Sequence, residues 1–93
     1  MDWSKTYRCA PGFAFRKESF GGILFHYEGR TPDPRLYFVD SRFLIDLLEL
    51  VERAPLESLM EEATATFRLG NSQISAMRRF FGDLVERKAL VPA

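Results

Sequence analysis

Cysteine and histidine each occur once in this 93-residue chain, at Cys9 and His26, and that scarcity closes off much chemistry. A lone thiol forms no internal disulfide, which fits a reducing compartment. One imidazole and one thiolate cannot supply the usual nitrogen and sulfur ligands of zinc, and an iron–sulfur cluster needs several thiolates. No metal or cofactor is expected. The glycines form no phosphate-cradling loop, and there is no Gly-x-Ser-x-Gly elbow. No apolar run approaches the roughly 18 residues of a membrane span, and the start, MDWSKTYRCAPGF, has no apolar signal-peptide centre. The chain therefore reads as soluble and cytoplasmic. A catalytic Cys9–His26 pair would need a third, orienting group. His26 reads better as a strand residue on a half-exposed face, and Cys9 as an unreactive small apolar side chain.

Net charge is also missing, since 13 basic residues balance 13 acidic ones, but the charges are segregated. Residues 1–39 hold six basic and four acidic groups, residues 40–63 two and seven, and residues 72–93 four and two. A dipolar chain of this kind suits protein or peptide partners better than nucleic acid, whose committed binders are basic overall.

What the chain has is apolar side chains, 46% of the total and enough for one small core. FAFRKES reads as a first strand with Phe13 and Phe15 on one face, and Gly21-Gly22 as a turn or bulge. In ILFHYE, Ile23, Phe25 and Tyr27 share one face while Leu24, His26 and Glu28 share the other. GRTPDP reads as the loop closing a hairpin. RLYFVD is the third strand, with Leu36 and Phe38 on one face and Arg35, Tyr37 and Val39 on the other.

The period then changes. Asp40 or Ser41 can cap a helix running to about Arg53, too apolar for a single stripe and so central. Pro55 fits the first turn of a second helix, where Leu56, Leu59, Met60, Ala63 and Phe67 form an amphipathic stripe. LGNS breaks the chain, and Asn71 or Ser72 caps a third helix bearing Ile74, Met77, Phe80, Phe81, Leu84 and Val85. Asp83 stands four residues before Arg87, a spacing for a weak ion pair, and the helix is expected to fray near KALVPA. Phe80 and Phe81 point about 100° apart, so one faces the core and the other is left for a groove or the sheet. The predicted fold is α+β, winged helix-turn-helix-like: a three-stranded antiparallel sheet followed by three helices, with the sheet as wing. Residues 1–93 are read as one domain, with strands over about 13–39 and helices over about 41–88. The free edges of such a sheet are templates for another strand.

The block FRKESFGGILFHYEGR…RLYFVDSRFLIDLL, with the ending LVERKALVPA, resembles the small peptide chaperones of mycofactocin biosynthesis (MftB-like). The marks are Ser19-Phe20-Gly21-Gly22, the aromatic-His-aromatic triplet Phe25-His26-Tyr27, and Leu90, Val91 and Pro92. The loop GRTPDPR is a few residues longer than that pattern. The resemblance covers most of the chain from about Arg16. It implies a precursor-peptide recognition domain of the kind found in the pyrroloquinoline-quinone chaperone (PqqD-like). Such a domain is not an enzyme. It binds the leader of a ribosomally made precursor and presents the core to a radical S-adenosylmethionine (radical SAM) maturase, which acts on a C-terminal Val-Tyr pair.

On that reading the leader adds as a strand along Arg35–Val39, with alternate side chains entering pockets. Tyr37 and Val39 are the favoured strand contacts, and Leu36 and Phe38 on the opposite face remain candidates. The expected wall on the third helix is Ile74, Arg78, Phe81, Gly82 and Val85. Expected partners are the mycofactocin precursor leader and the maturase, with no nucleic acid and no membrane, the chain being a monomer or strand-swapped dimer. Two rival readings stand beside this one. A winged-helix DNA-binding regulator would use Arg78, Arg79, Arg87 and Lys88, although Asp83 and Glu86 on the same helix repel phosphate. A plain assembly module would bind an enzyme and no peptide.

Overall fold

In the computed structural model, the described residues are 2–27 and 35–93. The predicted GRTPDP loop and the face assignment of Glu28 lie outside them. The order is β1 (Tyr7–Cys9), β2 (Phe13–Glu18), β3 (Gly21–His26), β4 (Arg35–Val39), α1 (Arg42–Leu50), α2 (Leu56–Phe67), α3 (Asn71–Glu86) and β5 (Leu90–Pro92). The central sheet is antiparallel, ordered β2-β3-β4, and three helices follow it, as the sequence predicts.

The hairpin between β2 and β3 turns through Ser19 and Phe20 alone, because Glu18 pairs with Gly21. The two glycines therefore begin β3 rather than forming the turn or bulge expected of them. Each is required for its own reason. Gly21 has φ of 146°, and a Cβ there would strike the Val39 carbonyl oxygen. At Gly22 a Cβ would sit 2.6 Å from Cγ1 of Ile45, so its absence lets α1 lie directly on the sheet. α1 brings Leu44, Ile45, Leu47 and Leu48 into the core, in keeping with its dense apolar content. Lys17 of β2 pins the exposed side of α1, bridging Asp46 and Glu49 at 2.9 Å each.

Register fixes the two faces of the sheet. Phe15, Leu24 and Tyr37 form one row, and Gly22 and Val39 lie beside it on the face toward the helices. Ala14, Phe25 and Leu36, then Arg16, Ile23 and Phe38, form the rows on the outer face. His26 lies on the inner face and is buried, its ring edge-on to Phe13 at 5.8 Å. The half-exposed position expected of it is corrected. The helices cover the side of β3 that carries Leu24 and His26, whereas Ile23 and Phe25 make its other side apolar as well.

Both chain ends depart from the sequence reading. β1 and β5 form a second antiparallel sheet, with Tyr7 opposite Pro92 and Cys9 opposite Leu90. α3 does not fray into the tail. Lys88 takes a left-handed conformation (φ 60°), and the Ala89 N–H donates to the Leu84 carbonyl at 2.9 Å, which closes the helix and aims the chain into β5. Ala89 and Leu90 are consequently buried. The segment before β1 completes α2, where the Leu56 and Glu57 N–H groups donate to the Lys5 and Trp3 carbonyls at 3.0 and 2.8 Å. These bonds satisfy donors that a helix start otherwise leaves bare, and Pro55 occupies the N-cap position.

The other caps differ in detail. Ser41 precedes α1 without a side-chain capping bond. α3 starts after Gly70, whose N–H donates to Oε1 of Gln73 at 2.9 Å, so neither Asn71 nor Ser72 is the cap. α1 ends at Leu50, short of Arg53, where Val51 and the following residues turn toward α2.

Candidate functional site

α3 crosses the inner face of the sheet so that its C-terminal half and β4 leave a cleft of about 170 Å³ between them. Leu24 and His26 of β3 and Tyr37 and Val39 of β4 line the strand side. Phe80, Asp83, Leu84 and Arg87 line the helix side, where the spacing i, i+3, i+4, i+7 places all four on one face. The floor is apolar, and the charges sit at the rim. The Arg87 guanidinium lies over the Tyr37 ring at 5.1 Å and ties the rim of the helix to that of the strand. The expected Asp83–Arg87 ion pair is not formed, leaving the Asp83 carboxylate exposed at the same mouth. Among the described residues β4 is one of the two edge strands of its sheet, so the cleft runs alongside a strand edge.

The residues singled out from sequence are distributed differently. Tyr37 and Val39 line the cleft. Leu36 and Phe38 belong to the outer face, where Phe38 is 70% exposed and packs near Phe20 at 6.3 Å between ring centres. Phe81 is completely buried in the core, edge-on to Phe80 at 5.1 Å, so Phe80 is the member of the doublet that reaches the cleft. Ile74 and Arg78 line a separate depression between α2 and α3, with Arg78 also stacked on Trp3 at 5.4 Å. Val85 is half-buried against the core, outside the cleft lining. A Cβ on Gly82 would meet nothing within 4 Å, so no close approach inside the domain demands glycine there.

The structure thus turns α3 by roughly one residue step, about 100°, relative to the wall drawn from sequence. A signal for this was available. Ile74, Met77, Phe81 and Leu84 repeat at three and four residues, the seam of a helix packed on a core, which leaves Phe80 beside the seam. Leu24 and His26 of the middle strand join Tyr37 and Val39 in lining the cleft.

The other candidate groups carry no chemistry of their own. Burial raises the Cys9 thiol above its ordinary range, and Glu52 adds to the rise, which disfavours the reactive thiolate. No group of three or more metal-ligating side chains occurs among the described residues. No helix among them is long and apolar enough to cross a membrane.

Three antiparallel strands followed by three helices define an α+β domain. More particularly, the chain belongs to the peptide chaperone MftB family, which it matches over residues 6–91, a span from just before β1 into β5. The role of that family is to chaperone a peptide in mycofactocin biosynthesis, without catalysis. No curated protein and no solved structure matches the chain.

Proposed function

We propose that residues 1–93 act as one recognition unit that binds the precursor leader as an added strand on β4 and presents the core to a radical SAM maturase. The observation carrying this reading is the apolar cleft beside an edge strand. A strand laid along β4 would gain ladder hydrogen bonds, and every second side chain would point toward Leu24, Phe80 and Leu84. Arg87 and Asp83 at the mouth would then select polar residues flanking the apolar anchor. Family membership supports the peptide and, in general terms, a maturase. The winged-helix DNA reading loses ground because Arg78 and Arg87 are stacked on Trp3 and Tyr37 rather than presented as a row.

Calorimetric titration with the leader half of the precursor tests this reading. Binding is expected with a negative heat-capacity change from buried apolar area. Phe80→Ala and Arg87→Glu should each weaken it by about tenfold or more, as truncated anchors do, with unchanged far-ultraviolet circular dichroism. Wild-type affinity in both variants, or no binding by the folded chain, rejects the cleft as the leader site.

A further inference from the structure

A second groove lies between α1 and α2, away from the leader cleft. Its floor is Phe43, Leu47 and Leu50 of α1 facing Leu59, Ala63 and Phe67 of α2, and its volume is about 170 Å³. Both sets follow helical spacing, so the floor is a continuous apolar trough between two helices. Phe67 is 54% exposed and leans on Phe43 at 5.9 Å between ring centres. Apolar side chains at i, i+3, i+4 and i+7 of a third helix fit such a trough.

Charge limits what that helix can be. Asp46 and Glu62 stand among the groove residues, one on each helix. Asp46 is already paired with Lys17 at 2.9 Å and lies 3.5 Å from Arg42. The negative charge at the groove therefore comes mainly from Glu62 of α2, since Glu57 and Glu61 line the depression toward α3 and Arg78, and it sits within residues 40–63, which hold seven acidic and two basic groups. No cation among the described residues lies within ion-pair distance of these three glutamates. α3 is opposite in character, carrying Arg78, Arg79 and Arg87, with Lys88 just beyond it.

We infer that the α1–α2 groove is a docking surface for a basic amphipathic helix of the maturase. The inference rests on the leader-binding reading above and gives the chaperone a second, separate face. A symmetric contact with a second copy of this chain is disfavoured, because the same acidic faces would oppose each other. The leader is disfavoured as well, since the groove offers an extended peptide no strand edge. Because the two faces are separate, peptide and enzyme are held together without competition.

The test titrates the maturase and the leader peptide separately into wild-type chain, Phe67→Asp and Glu62→Arg, at two salt concentrations. Both substitutions alter exposed side chains outside the leader cleft, and circular dichroism checks that the domain remains folded. Phe67→Asp should weaken maturase binding by about tenfold or more. Glu62→Arg should weaken it chiefly at low salt, and leader affinity should stay within about twofold in both. Unchanged maturase affinity in both variants overturns the inference. So does a wild-type chain that binds the leader but not the maturase, an outcome that leaves the leader reading intact. A chain that binds the maturase in a groove-dependent way but not the leader supports this surface and rejects the leader cleft.

Discussion

The two adjacent phenylalanines of α3 show how much hangs on one helical step. Phe81 is fully buried and Phe80 only partly so, although no local property of either residue distinguishes them. Phe81→Ala would empty a packed site and cost about 3–5 kcal/mol. A urea melt should show the loss, so any fall in leader affinity in that variant would reflect instability. Phe80→Ala is the cleaner probe of the cleft. The strand side was more legible from sequence, because a strand alternates with period two and Tyr37 and Val39 must share a face once one of them is placed. A helix offers no such binary choice, and its rotation is settled only by everything that packs on it. His26 illustrates the same limit, since its burial against Phe13 of the neighbouring strand follows from packing that its own strand does not encode.

At the scale of elements, strand and helix positions follow the apolar period closely, whereas the ends of helices do not. Lys88 accounts for the least legible element, β5. A left-handed residue after a helix is usually glycine, so a lysine there hides the stop signal and leaves β5 unseen. Lys88→Gly should stabilise the domain by about 0.5–1 kcal/mol by relieving the backbone cost of φ 60°, measured as a higher urea midpoint with an unchanged slope. The contact between β2 and α1 makes a pH prediction. Lys17 holds the Asp46 carboxylate below its ordinary value. A depressed folded pKa contributes stability above the unfolded value, near about 4, that is lost as pH falls through the folded one. Asp46→Asn should therefore flatten the acid limb of a Tm-against-pH curve below about pH 4 and leave its neutral slope unchanged. The exposure of the pair keeps the effect small.

At the scale of the molecule, the two small strands join the central core. Tyr7 and Leu90 are buried in the same core as Ile45 and Phe81. Trp3, beside the carbonyls that complete α2, reports on the N-terminal end by fluorescence, while circular dichroism reports on the helices. The two transitions should coincide in a urea melt, and Leu90→Ala should shift both together by about 2–5 kcal/mol. Separate transitions would show the β1–β5 sheet to be independent of the helical core. The sequence conveyed the central sheet and the three helices because each has its own period. A pairing of three residues near each end has too few positions for any period to emerge.

That pairing also sets an order of events during synthesis. β1 is made well before its partner β5, with the central sheet and the three helices between them in the chain. At about 5–20 residues per second, Tyr7–Cys9 wait several seconds without their strand partner. Through that interval the ribosome, rather than any contact within the chain, determines when the fold can close.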